Sequence, residues 1–342
     1  MQTTRALRTL LPAPEAVVDP ASGLPRFGSY VGSVARIDLA SLAGGRLKRL
    51  AREKRWMYVA IASEEAFVAV AIARFGYAAT CFGYVLDAHS MRMIATASVI
   101  GPPTACRVAD RMTARSLASF EFAGVKAGIE GAAGWPSYFI DVDLRELRLR
   151  AGLDAKDAPP AMTAIAPVGP ARHGLVNTTE KRALLSVRGE LEVGDRRFDL
   201  GGALGGYDYT HGLLARHTIW RWAFAMGRAR SGERVAFNLV QGFVGEPECT
   251  AWIDGEVFPL REGRFSFDAE SPLSEWRVTT ADGAVDLRFT PGGMHSEEKN
   301  LGLVSSRFVQ PAGSYRGTLR AGGRELQLEG VLGVTEDQEV TW

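Results

Sequence analysis

Alternation of apolar and polar residues is the feature that most constrains the fold of this chain. Between residues 185 and 193, the apolar side chains of Leu185, Val187, Leu191 and Val193 alternate with polar ones. A period of two with one polar face is the pattern of a half-buried antiparallel strand. Because similar segments recur along the chain, we predict a mostly β protein.

Turn signals separate these predicted strands in the second half of the chain. Asp254-Gly255, Asp282-Gly283 and Gly322-Gly323 each lie between two apolar segments. Such pairs supply the positive φ angles that a tight type I′ hairpin turn needs. Short strands with turns at intervals of about 8–12 residues indicate a barrel or a sandwich.

A stretch rich in Pro, Ala and Gly, residues 152–170, divides the chain. Proline is excluded from central strands, so this stretch is expected to be a linker. The length of 342 residues also fits roughly two domains of about 150 residues each. We therefore expect an N-terminal extension (residues 1–40), a first β-barrel-like domain (41–165) and a second one (166–342), that is, two antiparallel barrel or sandwich units in tandem.

Composition excludes several classes of protein. A net charge of +1 provides no overall field that favours nucleic acid. Three scattered cysteines form no CxxC pair, which argues against a disulfide framework and a thiolate zinc site. The chain begins without an apolar signal segment, and its apolar runs are too short for a transmembrane helix. We expect a cytoplasmic protein, and the oligomeric state is left open.

Segment 40–54 is the best helix candidate, although Gly44-Gly45 weakens it. It carries a run of basic residues: Arg46, Lys48, Arg49, Arg52, Lys54 and Arg55. Such a run is consistent with a solvated face, or with a contact to phosphate or to a partner.

The densest group of aromatic, ionisable and glycine residues is segment 205–227, GGYDYTHGLLARHTIWRWAFAMG. On a strand from residue 215 onward, one face carries Arg216, Thr218, Trp220, Trp222, Phe224 and Met226. In a barrel this face could line a ligand cavity, where the aromatic rings would hold an apolar molecule and Arg216 an anionic or carbonyl end. Asp208 and His211, at the strand entrance, could act as acid and base. The competing interpretation is an ordinary packed core and a turn.

No dinucleotide, phosphate-loop, nucleophile-elbow or metalloprotease motif is present, so no cofactor is expected. His211 and His217 could share a strand face, but no third ligand is evident and no metal site is predicted. Near the C-terminus, Glu336-Asp337 is expected to be a solvated turn rather than an acid–base pair.

Several segments resemble a bacterial domain-of-unknown-function family, number 2804. The matching segments include Trp56-Met57-Tyr58, the pattern from Thr210 to Ala223, Phe237 to Gly242, Trp252 to Gly255, Phe308-Val309-Gln310 and Glu336-Asp337. The chain departs from the family pattern at Cys249, where Asn is usual, and at Gln338, where His is usual. The family carries no assigned activity.

The two-unit all-β organisation is more distantly similar to double-lipocalin proteins, which include carotenoid hydratases and pericyclase-like enzymes. That similarity implies lipocalin-like units and an apolar ligand, although fold does not establish function.

Three hypotheses follow. The first is a binding protein for an apolar or amphipathic small molecule, with six candidate ligand-binding residues: Arg216, Thr218, Trp220, Arg221, Trp222 and Asn238. The second is a cofactor-independent hydratase, isomerase or cyclase, in which Asp208, His211 and Glu248 are the candidate catalytic residues and Arg216 or Arg221 stabilises an anion. It requires a carboxylate that points into the same cavity as the tryptophans. The third is a structural or interaction module without a ligand.

Overall fold

The alternating segments form long antiparallel strands that make two curled sheets, one a nearly closed barrel and the other a half-barrel. The computed structural model describes residues 8–112, 114–131, 137–168, 175–300, 302 and 304–342. The expected mostly β, lipocalin-like fold is confirmed. Within the described residues, no helix is long and apolar enough to cross a membrane.

The strands of the first sheet are β1 (Leu11–Pro12), β2 (Gly28–Val31), β3 (Glu53–Ala62), β4 (Ala66–Phe75), β5 (Ala79–Asp87), β6 (Arg92–Gly101), β7 (Cys106–Val108), β8 (Ser116–Phe122), β9 (Val125–Gly131), β10 (Ser137–Leu144), β11 (Leu147–Asp154), β12 (Met162–Pro167), β13 (Val176–Val193), β14 (Arg196–Asp199) and β15 (Leu204–Leu213). Their main order is β6-β5-β4-β3-β15-β13-β11-β10-β9-β8-β7. β15 therefore lies between β3 and β13.

The strands of the second sheet are β16 (His217–Arg228), β17 (Arg234–Gly242), β18 (Thr250–Ile253), β19 (Glu256–Pro259), β20 (Gly263–Ser266), β21 (Trp276–Thr280), β22 (Val285–Asn300), β23 (Ser305–Ala321) and β24 (Arg324–Thr341). Their order is β19-β18-β17-β16-β24-β23-β22-β21-β20. The first strand of this sheet thus pairs with the last.

The change of sheet falls between Leu213, the last residue of β15, and His217, the first residue of β16. Residues 176–213 form β13, β14 and β15, which hydrogen-bond to strands of the first sheet. The strands that follow the Pro-rich stretch therefore belong to the first sheet, in which β15 pairs with β3.

The helical segment is shorter than expected. A 3₁₀ turn spans Ala40–Leu42 and a single α-helix, α1, spans Arg46–Arg52, after which β3 begins. Gly44 and Gly45 separate the two pieces at φ values of 65° and 111°. Those angles are outside the helical region, so the two glycines interrupt the helical segment between the 3₁₀ turn and α1.

The predicted hairpins form, but with different turns. Gly322 and Gly323 join β23 to β24, with φ values of 59° and 74° that fit a type I′ turn. The Asp254-Gly255 turn joins β18 to β19, yet only Asp254 has a positive φ, of 53°. The expected type I′ assignment was therefore wrong for this turn.

A close contact between the sheets depends on Gly206 in the middle of β15. A Cβ atom at this position would lie 2.7 Å from Cζ of Phe224, a residue of β16. Because such a distance is too short for two carbon atoms, only glycine lets the second sheet pack this closely. The sheets consequently face each other across β3, β15 and β16, where the cavity described next is found.

Candidate functional site

A cavity of about 220 Å³ lies between the two sheets. The first sheet contributes residues of β3, β4, β5, β6, β13 and β15 to its wall, and the second contributes residues of β16, β17, β22, β23 and β24. Most of the lining is apolar, and aromatic rings from both sheets meet across it. It has the character of a small-molecule site: a mostly apolar surface with a few convergent polar groups.

Two of the aromatic ring pairs that connect the sheets join β3 to β16. Trp56 on β3 stacks against Trp220 on β16, with ring centroids 6.3 Å apart and planes 10° apart. Tyr58, two residues along β3, meets Trp222 edge to face at 5.3 Å. The period of two therefore directs both pairs to the same side of their strands.

A buried cluster of charges lies in the wall of the cavity. Nζ of Lys181 lies 2.6 Å from Oδ2 of Asp208 and 3.9 Å from Oε2 of Glu248. Thr179 donates its hydroxyl hydrogen bond to Oδ1 of Asp208 at 3.1 Å. The Lys181 side chain is only 3% exposed, so these charges interact with little screening by water.

Burial and charge act in opposite directions on this cluster. Burial lowers the pKa of Lys181, but the carboxylates of Asp208 and Glu248 outweigh it and raise the pKa above its usual value. Burial raises the pKa of Glu248 to about 7, against the attraction of Lys181. Lys181 therefore stays charged at neutral pH while Glu248 exchanges a proton in that range.

A second carboxyl group, that of Glu336 on β24, is held by two hydrogen-bond donors. Trp220 donates its indole N–H to Oε1 of Glu336 at 2.6 Å, and Gln310 donates its amide N–H to Oε2 at 2.5 Å. Oε1 of Gln310 in turn accepts the hydroxyl of Tyr84 at 2.6 Å, and the hydroxyl groups of Tyr84 and Tyr58 are 3.2 Å apart. The network fixes the orientation of Glu336 at the cavity wall.

Burial also raises the pKa of Glu336 to about 7. The hydrogen bonds from Trp220 and Gln310 favour the ionised form, but they only partly offset the loss of hydration. The ammonium group of Lys181 carries one positive charge, which does not neutralise the three buried carboxylates of Asp208, Glu248 and Glu336. Protons are therefore retained on Glu248 and Glu336 up to neutral pH.

The position of Lys181 depends on an irregularity in β13. The pairing of β13 with β15 shifts register between Arg182 and Leu185, and Leu184 has a φ of 63°. A bulge reverses the alternation of a strand. Lys181 consequently lines the cavity, whereas after the bulge Leu185 and Val187 are buried and Ser186 is exposed, as predicted.

The predicted catalytic residues are separated by the structure. Asp208 and Glu248 line the cavity. His211 lies on the opposite face of β15, where its Nε2 atom is 2.8 Å from Oε1 of Glu53. Burial lowers the pKa of His211, and the imidazole does not reach the cavity.

Of the predicted ligand-binding residues, Trp220 and Trp222 line the cavity. Asn238 lies behind this wall, where its Oδ1 accepts the indole N–H of Trp222 at 2.6 Å and its Nδ2 donates to the backbone oxygen of Glu248 at 2.9 Å. Asn238 therefore positions two lining residues rather than a ligand.

The remaining three predicted residues do not line the cavity. Thr218 donates its hydroxyl to the backbone oxygen of Ala215. Arg221 points to the other side of β16, with Nε 3.2 Å from Oδ1 of Asp337. Arg216 precedes β16 and is exposed, because the strand begins one residue after the position at which the face was expected to start.

The polar groups of the wall that sequence reasoning missed include Lys181, Gln310 and Glu336. The expectation of a solvated turn at Glu336-Asp337 was wrong, since both residues are buried within β24 and are 6% and 2% exposed. Gln310 and Glu336 lie in segments that resemble the family, which was the available signal, whereas Lys181 lies in none of those segments. Cys249, which departs from the family pattern, is buried, and burial raises the pKa of its thiol to about 12.

Comparison with known proteins agrees with the resemblance noted from the sequence. A model of the family described as "Domain of unknown function (DUF2804)" matches residues 10–342. No curated protein matches the chain.

Three solved structures are similar in fold. A protein of Nitrosomonas europaea designated AttH is 13% identical with a TM-score of 0.53, over 84% of this chain and 92% of that one. CghA, solved with Sch210972, is 12% identical with a TM-score of 0.51, over 96% of this chain and 97% of that one. Kievitone hydratase from Nectria haematococca is 13% identical with a TM-score of 0.49, over 86% of this chain and 90% of that one.

Proposed function

The chain belongs to the DUF2804 family, and we propose that it is an enzyme that transfers protons on a hydrophobic small molecule held between its two sheets. One observation carries the proposal. Glu336, whose pKa is raised to about 7, lies in the wall of an apolar cavity and is oriented there by Trp220 and Gln310. Groups that titrate near the working pH are the most effective general acids and bases.

The cavity supports a substrate that is mostly apolar and of modest size. An apolar cavity of about 150 Å³ accommodates benzene, so about 220 Å³ suits a molecule of roughly ten non-hydrogen atoms, or the reacting part of a longer one. The facing rings of Trp56 and Trp220 favour a flat or unsaturated group. Polar atoms of the substrate would meet the carboxyl groups and Lys181.

The two glutamates supply both halves of a proton transfer. In the proposed step, the carboxylate of Glu336 takes a proton from the substrate, and the electron pair of the broken bond stays on the substrate. The protonated carboxyl group of Glu248 then gives a proton to a second substrate atom, which completes an isomerisation. Hydration or cyclisation would use the same pair of groups on a different acceptor.

Lys181 would stabilise the negative charge that develops between the two transfers. Its ammonium group is charged, buried and fixed by Asp208 at 2.6 Å. A fixed charge in a site that excludes water stabilises an oxyanion without reorganisation. Asp208 is thus proposed as a positioning residue for Lys181 rather than as the acid or base.

A second candidate function is a binding protein for an apolar molecule, which the apolar lining of the cavity favours. The fold is compatible with either function, since CghA, which shares it, was solved with Sch210972. The binding hypothesis differs in one respect: the carboxyl groups would hold a ligand without changing it.

Labelling distinguishes the two functions. Compounds extracted from the protein purified from its own host, and a panel of apolar alkenes and phenols, are incubated with the protein in D₂O and analysed by mass spectrometry. The proposal predicts deuterium or water incorporation that Glu336→Gln abolishes. Glu297→Gln is the matched control, because Glu297 also lines the cavity but its interactions with His295 and Lys299 outweigh burial and hold its pKa well below the usual range. Compounds that bind but never change mass would establish the binding function instead.

A further inference from the structure

The open end of the cavity lies at one end of the first sheet. The register places the start of β3, the turn between β4 and β5 and the end of β6 side by side at this end. Tyr77 in that turn and Ile100 on β6 both line the cavity and are exposed. They form the rim of the opening.

Helix α1 is fixed against this rim. A Cβ atom on Gly76 would lie 1.6 Å from the backbone oxygen of Leu50, so the turn touches the helix backbone directly. Lys54 donates to the backbone oxygen of Ala51 at 2.6 Å, and its Nζ atom lies 5.3 Å from the centre of the Tyr77 ring. The helix therefore packs directly against the rim.

Two large apolar side chains of α1 project into solvent. Leu47 is 82% exposed and Leu50 is 53% exposed. Residues three apart lie on the same side of a helix, so the two leucines form one ridge. Exposed apolar groups clustered beside an opening mark an interaction site more often than isolated ones do.

The same helix carries positive charge. Four of its seven residues are basic, namely Arg46, Lys48, Arg49 and Arg52, and none is acidic. Glu53, directly after the helix, is shared among Arg49, Arg55 and His211. On the other side of the opening, Arg216 is exposed and close enough to Tyr77 to lower the pKa of its hydroxyl against the effect of burial.

We propose that this mouth surface, made of α1, Tyr77 and Ile100, docks the protein on an anionic lipid bilayer. Leucines enter the headgroup boundary while Lys and Arg contact anionic headgroups, which is how short amphipathic segments bind membranes. The functional role of this docking rests on the proposed function. With the mouth surface on the bilayer, the cavity would open toward the lipid in which a hydrophobic substrate is dissolved.

A bilayer fits this surface better than an acidic protein does. A stable protein interface needs about 1,000 Å² or more of complementary surface, whereas a helix of two turns presents only a narrow ridge. Two exposed leucines beside several basic residues supply both contributions to membrane binding, namely buried apolar area and attraction to anionic lipids.

Vesicle sedimentation tests the inference. The full chain is mixed with phosphatidylcholine vesicles that contain or lack phosphatidylglycerol, at low and at high salt. We expect binding to the anionic vesicles, a large loss at high salt and little binding to phosphatidylcholine alone. The double variant Leu47→Glu/Lys48→Glu should lower the partition coefficient at least about tenfold.

The control is Leu273→Glu/Arg264→Glu, which makes the same changes of charge at exposed residues of β20 and of the loop that follows it. It should bind as the unmodified protein does, and melting curves show whether both variants are folded. No binding of the unmodified chain to anionic vesicles, or an equal loss in the control, would overturn the inference. Neither result would affect the labelling test of the proposed function, which uses dissolved compounds.

Discussion

The indole nitrogen of Trp220 lies 2.6 Å from a carboxyl oxygen of Glu336, and both residues line the same cavity. They are 116 residues apart in the chain. The pairing of β16 with β24 makes them neighbours, with Trp220 opposite Gln338 and Trp222 opposite Glu336. Because of this contact, the aromatic wall of the cavity also contains a carboxyl group, that of Glu336, which can exchange a proton.

Removal of the buried ammonium group should destabilise the protein strongly. In Lys181→Met, the carboxylate of Asp208 would remain buried without its partner, so we expect a loss of roughly 3–5 kcal/mol in the free energy of unfolding. Denaturant titration measures this. The double variant Lys181→Met/Asp208→Asn should recover part of the loss, and strictly additive effects would contradict a direct coupling.

The stability of Glu336→Gln relative to the unmodified protein should depend on pH. A carboxyl group with a folded-state pKa of about 7 contributes stability below its unfolded pKa and loses it as the pH rises through 7. The variant carries no such group, so its relative stability should increase between pH 5 and pH 8, by about 2–4 kcal/mol. Melting temperatures at several pH values provide the measurement, and a pH-independent difference would contradict it.

Filling the cavity should prevent binding without unfolding the protein. Ala73 lines the cavity, and Ala73→Phe would occupy space that a ligand needs. We expect 1-naphthol, a flat and mostly apolar probe, to change the tryptophan fluorescence of the unmodified protein, because Trp220 and Trp222 lie in the cavity wall. Ala73→Phe should abolish this change. The control Ala321→Phe, at the end of β23, should retain the response, and equal responses from both variants would contradict the cavity assignment.

The role of His211 and Glu53 should be structural. Burial opposes ionisation of Glu53, but hydrogen bonds from His211, Arg49 and Arg55 hold its pKa well below the usual range. Its stabilising effect is present above the unfolded pKa and is lost as the pH falls below about 4.5. Glu53→Gln should therefore cost roughly 2–3 kcal/mol at pH 7 and progressively less in acid. A constant difference between pH 7 and pH 3 would rule out this account.

Local patterns predicted the strands, the hairpin at Gly322-Gly323 and the aromatic face of β16, because each depends on a few consecutive residues. They also placed Asp208 and Glu248 among the candidates. They did not predict the pairing of β16 with β24, which depends on distant residues and brought Glu336 to Trp220. The bulge near Leu184 hid Lys181 as well, since it reverses the alternation on which the prediction was based.

The same limit explains two of the five candidates that do not line the cavity, His211 and Arg216. His211 was grouped with Asp208 by closeness in sequence, but an odd separation of three residues directs the two side chains to opposite faces of β15. Arg216 was grouped with Trp220 by alternation, but the strand begins at His217. Because the strand begins one residue later than expected, the guanidinium of Arg216 lies outside the cavity wall.

Infrared titration of the buried carboxyl groups is the most direct test of the central claim, that Glu336 and Glu248 exchange protons in the cavity near neutral pH. The account predicts a protonated-carboxyl C=O band that disappears with a midpoint of about 7. Glu336→Gln and Glu248→Gln should each remove part of it, while Glu297→Gln should leave it unchanged. A spectrum in which every carboxyl group is already ionised at pH 6 would contradict the account.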